Sequence, residues 1–93
     1  MQLTDAALSA ATRDSISDVV RARFPGKVRD VRFRFDVDNM GDDILTIEIH
    51  MSPDTTADDF RGRFIGLTEL VRKAMGDDLR DVFPFIRPME AHA

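Results

Sequence analysis

Between Val28 and Met51 the chain reads VRDVRFRFDVDNMGDDILTIEIHM, and its alternation is strict enough to dictate a structure. Val31, Phe33, Phe35 and Val37 alternate with Arg32, Arg34, Asp36 and Asp38, and then Leu45, Ile47, Ile49 and Met51 alternate with Thr46, Glu48 and His50. Successive side chains of a strand point to opposite faces, so each run has one apolar face and one polar face. Asn39-Met40-Gly41 supplies the turn between them, with Gly41 in the left-handed position. Residues that face each other across an antiparallel pair share a face, so paired numbers must sum to an even value. A three-residue loop sets that sum at 80, with Arg32 opposite Glu48 and Asp30 opposite His50; a sum of 82 would set Arg34 opposite Glu48. A hairpin by itself is marginal in water, so its apolar face needs a cover from the rest of the chain.

The flanking sequence offers that cover. Leu8, Ala11, Ile16, Val19, Val20 and Phe24 recur at helical spacing, with Asp14 or Ser15 as candidate N-cap and Pro25-Gly26 as the stop. The same spacing allows a longer helix from about Thr4, but the segment before Arg13 is expected to fray or to dock on a partner. After Ser52-Pro53, the caps Asp54, Thr55 and Thr56 open a second helix. Its apolar arc holds Phe60, Phe64, Leu67, Leu70, Val71, Ala74 and Met75, and Gly76 ends it. Val82-Phe83-Pro84-Phe85-Ile86 then reads as a short third strand. Pro84 cannot donate to a ladder and assigns that strand to an edge. A helical crossover favours parallel strands, and a third strand parallel to the second can pair antiparallel with the first. The expected fold is therefore α+β, a two-layer α-β-β-α-β sandwich with a three-stranded mixed sheet in the order 2-1-3 and two helices on one face. It forms a single domain over residues 1–93, with 1–12 and 88–93 loose.

With 93 residues, 43% hydrophobic and 32% charged, the chain suits one small globular core. The absence of cysteine rules out disulfides and thiolate metal sites. No apolar run is long enough to span a membrane, and the start MQLTDAALSAATRD lacks a basic region followed by an apolar one, so a cytoplasmic protein is expected. A net charge of −4 disfavours nucleic acid as a partner. The charge is uneven. Arg21, Arg23, Lys27, Arg29, Arg32 and Arg34 stand against Asp30 alone, whereas Asp36 to Asp59 holds only acidic residues among its charges. Such lopsidedness suits self-association or a charged protein partner.

Chemistry-bearing motifs are few. Asp36-x-Asp38 opens like a calcium loop, but Met40 and Ile47 stand where ligands are needed. Glu48-x-His50 places a carboxylate and an imidazole on one face, too few for a metal site. No cofactor and no metal are expected, and no nucleophile elbow or phosphate loop points to an enzyme. Gly62 and Gly66 each cost roughly 1 kcal/mol inside a helix and require a reason. One reason is a helix break, which would give the order α-β-β-α-α-β. That order is similar to the type II KH domain, in which a GxxG loop between two helices clamps an RNA backbone; here the spacing is GxxxG. The resemblance implies single-stranded RNA binding, with Arg29, Arg32, Arg34, Arg61 and Arg63 on phosphates. The other reason is close approach of a second subunit. Because Val82-to-Ile86 is apolar on both faces, the favoured expectation is a protein-interaction module acting as a homodimer through Gly62, Gly66, Val82, Phe83, Phe85 and Ile86.

Overall fold

The computed structural model describes residues 8–60 and 62–90. Helix α1 (Ala10–Arg23) leads into β1 (Val28–Val37) and β2 (Asp43–Met51). Two short helices, α2 (Ala57–Phe60) and α3 (Leu67–Met75), connect to β3 (Phe83–Met89). The chain is α+β, with a three-stranded mixed sheet whose helices pack on one face.

The hairpin register follows the sum of 80, with Phe33 opposite Ile47, Arg32 opposite Glu48 and Asp30 opposite His50. Asp38 builds the turn. Its carboxylate accepts from the N–H groups of Met40 (2.8 Å) and Asp42 (2.9 Å), and Gly41 takes φ +82°. Leu45, Ile47, Ile49 and Met51 turn inward and are fully buried with Ile16 and Val20 of α1 and Leu67 and Val71 of α3. Each such aliphatic side chain contributes about 1.5–3 kcal/mol on burial.

Strand order differs from the expected 2-1-3. β2 is central and β3 lies parallel beside it, giving β1-β2-β3. The outward positions explain this. A central strand has neighbours on both sides, and β2 presents Ile44 and Thr46 there; Thr46 is only 6% exposed between Arg34 and Phe85. β1 presents Asp30, Arg32, Arg34 and Asp36, a charged row that is best hydrated at an edge.

Three boundaries also differ. α1 begins at Ala10, capped by Ser9, whose Oγ accepts from the Thr12 N–H at 3.1 Å; neither Asp14 nor Ser15 is the cap, and Leu8 is buried. The frayed start therefore does not hold for residues 8–12, and residues 1–7 lie outside the described residues. The second helix is two helices: α2 ends at Phe60 and α3 starts after Gly66, so the order is α-β-β-α-α-β. Within the expected arc Leu70 is exposed, because the restarted α3 faces the core with Leu67, Val71 and Met75. Finally, Pro88 and Met89 belong to β3 and not to a loose tail, while residues 91–93 lie outside the described residues.

A polar clasp closes the base of the hairpin. Lys27 Nζ donates to Asp54 Oδ2 at 3.0 Å and lies 3.9 Å from Asp59; Ser52 Oγ donates to the other oxygen of Asp54. The Ser52 hydroxyl, then Lys27, hold the Asp54 carboxyl below its ordinary range, and the Thr56 N–H does the same for Asp59. Asp54 in turn raises the Lys27 ammonium. A carboxylate depressed by folding stabilises the fold above its unfolded pKa and loses that contribution as pH falls through the folded value. A raised ammonium stabilises the fold below its unfolded pKa and loses the contribution as pH rises through the folded value. Urea midpoints are therefore expected to be level through neutral pH and to fall below about 4 and above about 10.5. In Lys27→Met the alkaline fall should be blunted, and urea titrations across the pH range measure both limbs.

Candidate interaction surfaces

The face of the sheet away from the helices carries the polar row anticipated from the sequence. Arg32 pairs with Asp30 (3.0 Å) and Arg34 with Asp36 (3.1 Å), each within β1; Arg34 also lies 3.9 Å from Glu48. His50 Nε2 is 3.5 Å from Glu48 Oε1. The Arg32 side chain, then burial and the Val31 N–H, act on Asp30, and the net result is a lowered carboxyl. The arginine pairs of β1 are exposed ion pairs, worth roughly 0–1 kcal/mol each, whereas His50 Nε2 is buried with no hydrogen-bond partner. Glu48 and His50 stand on the open face, and among the described residues no group of three or more His, Cys, Asp or Glu gathers around a common point.

Gly62 and Gly66 are explained by backbone conformation. Both are left-handed, at φ +71° and +77°, and a Cβ at Gly62 would touch nothing within 4 Å. Gly62 follows α2 and Gly66 opens α3, so both glycines occupy αL positions that the backbone itself requires. The turn is locked to α1 by a reciprocal pair of arginines. Arg23 donates to the Ile65 carbonyl at 3.0 Å, and Arg63 donates to the Arg23 carbonyl at 2.9 Å, where the helix C-terminus favours a cation.

The arginines named for nucleic acid do not share a surface. Arg32 and Arg34 lie on the outer face of β1, whereas Arg63 is bound to the end of α1 in the helical layer. Arg29 sits at the bulge between Val28 and Asp30, and Arg61 lies outside the described residues.

β3 divides the other candidates by parity. Val82 precedes it and is 4% exposed within the core, so it offers nothing to a partner. Pro84 is buried and Ile86 half-buried, while Phe83 and Phe85 point outward at 51% and 50% exposed. Arg72 reaches over the Phe83 ring at 5.6 Å. A shallow apolar groove runs along this edge between Phe64, Thr68, Pro84, Ile86 and Pro88.

At the opposite border Val31, Phe33 and Phe35 of β1 are only half-buried, and Val37 is 41% exposed. α1 covers part of the stripe: Arg21 donates to the Val28 carbonyl at 2.9 Å and Arg13 lies over the Phe33 ring at 5.7 Å. This half-covered border escaped the sequence reading, which placed β1 in the middle of the sheet. Among the described residues no helix is long and apolar enough to cross a membrane. Compared with family models, with curated proteins and with solved structures, the chain matches none.

Proposed function

We propose that this chain is a cytoplasmic protein-interaction module whose working unit is a homodimer. One observation carries the reading. Among the described residues, the large apolar side chains that the sheet leaves exposed are Val37, Phe83 and Phe85, all on its two edge strands and none on β2. Isolated exposed apolar residues need no explanation, but apolar side chains collected at the borders of a sheet mark contact surfaces. The charges of β1 on the open face agree, since Arg32 pairs with Asp30 and Arg34 with Asp36.

The RNA-binding alternative draws on the helix break at Gly62 and Gly66. It has weaker support, because Arg32, Arg34 and Arg63 are engaged by Asp30, Asp36 and the Arg23 carbonyl. It requires retention of single-stranded RNA at low salt that is lost as salt rises. Sedimentation of the purified chain tests the main reading. A dimer at micromolar concentration is expected, and a monomer at high micromolar concentration would overturn it.

A further inference from the structure

The two borders of the sheet end in opposite ways. β3 pairs with β2 without interruption from Phe83 opposite Ile44 to Met89 opposite His50. In a parallel ladder alternate residues bond to the neighbour, and a proline nitrogen facing β2 would break the run. Pro84 and Pro88 therefore face the free edge, and between them Ile86 alone offers an N–H. That edge is closed to strand addition.

β1 is built differently. Its ten residues contain neither proline nor glycine. The Asp38 N–H donates to the Asp42 carbonyl at 3.0 Å, which turns the even-numbered residues of the hairpin toward β2. The main-chain groups of Val31, Phe33, Phe35 and Val37 consequently point out of the sheet, and no strand of the described chain meets them. These same residues carry the half-covered apolar stripe.

We infer that a second copy of this chain adds to the free edge of β1, antiparallel and centred on Phe35, so that the two sheets become one. The inference rests on the homodimer reading and specifies its surface. A twofold contact must match the strand to itself, and the charges decide where. A centre on Arg32, Arg34 or Asp36 sets a charge against its own copy. A centre on Phe33 sets Arg32 against Arg34 and Asp30 against Asp36. A centre on Val31 runs into the bulge between Val28 and Asp30 and leaves Phe35 and Val37 in water. A centre on Phe35 sets Arg34 against Asp36 and Arg32 against Asp38, each twice by symmetry, with no like charges opposed. On the inner face Phe35 meets its counterpart and Phe33 meets Val37, the most exposed residue of the stripe. Backbone pairing, apolar burial and charge thus agree on one register.

The test uses paired charge reversals. Asp36→Arg sets Arg34 against an arginine, and Arg34→Asp sets Asp36 against an aspartate. Each variant alone is expected to raise the dimer dissociation constant roughly tenfold or more. Mixed in equal amounts they restore both oppositions, and a heterodimer is expected by sedimentation. An unfolded variant could not be rescued in this way. A monomeric parent protein overturns the homodimer reading and this register together. A dimeric parent whose variants stay equally dimeric overturns the register alone, and so does a mixture that remains monomeric.

Discussion

Phe24→Ala is expected to lower stability by about 3–5 kcal/mol, the range for deleting a buried aromatic side chain. Phe24 is the C-cap residue of α1 and is 1% exposed. Its ring lies 6.1 Å from that of Phe60, edge-on, and 5.2 Å from that of Phe64, while Phe60 and Phe64 stack at 5.7 Å. The three rings join the end of α1 to α2 and to the glycine turn. Aromatic pairs of this geometry add about 0.5–1.5 kcal/mol beyond area burial. Truncation would remove the shared member of the cluster and leave a cavity between segments otherwise tied by the Arg23 and Arg63 hydrogen bonds. A domain of this size has about 5–15 kcal/mol in total, so the variant should unfold at a much lower urea concentration. Urea denaturation measures this. Loss of under 1 kcal/mol would show that the turn collapses onto the cavity. Phe24→Leu, which refills much of the volume, should recover most of the difference.

The period-two pattern made the hairpin and its faces legible, because alternation is a local signal, and parity narrowed the register to sums of 80 and 82, of which the structure takes 80. Strand order was less accessible. Both hairpin strands have equally apolar inner faces, and only the outward residues separate them: Arg32 and Arg34 tolerate an edge, while Ile44 and Thr46 fit between neighbours. The Ser9 cap was hidden because the apolar stripe becomes firm only at Ile16, so a start nearer to it looked sufficient. Gly62 and Gly66 signalled a break, but their spacing alone could not show an αL requirement; the φ values do. The candidate site shows the same limit. The alternation of β3 showed that one apolar face would lack cover but not which; Phe83 and Phe85 are the exposed ones, and Val82 belongs to the core. The symmetry of Arg32, Arg34, Asp36 and Asp38 about Phe35 is present in the sequence. It acquires meaning only once β1 is known to be an edge.

If proline closes one border and leaves the other open, restoring the missing donors should change the kind of assembly that forms. In Pro84→Val combined with Pro88→Thr, the nitrogens that face the free edge of β3 regain their N–H groups, and Ile86 between them supplies a third. The inward residue stays apolar, and the threonine replaces an exposed proline. The sheet then has two edges competent for pairing. A β1-to-β1 contact is twofold and stops at two copies, but a β1-to-β3 contact is head-to-tail and leaves a free edge at each end. The expected outcome is growth that increases with protein concentration and has no fixed size, read as rising light scattering and a broad fast-sedimenting population. Lysine in place of Val37 puts a charge on the addition edge and should suppress the growth without restoring proline. A β3-to-β3 contact is also twofold and stops at two copies, so growth in the double variant that is indifferent to Val37→Lys would show aggregation by another route and overturn strand addition through β1. Growth that Val37→Lys suppresses would mean that proline at the border of β3 holds the chain to a bounded contact by denying a second strand its donors.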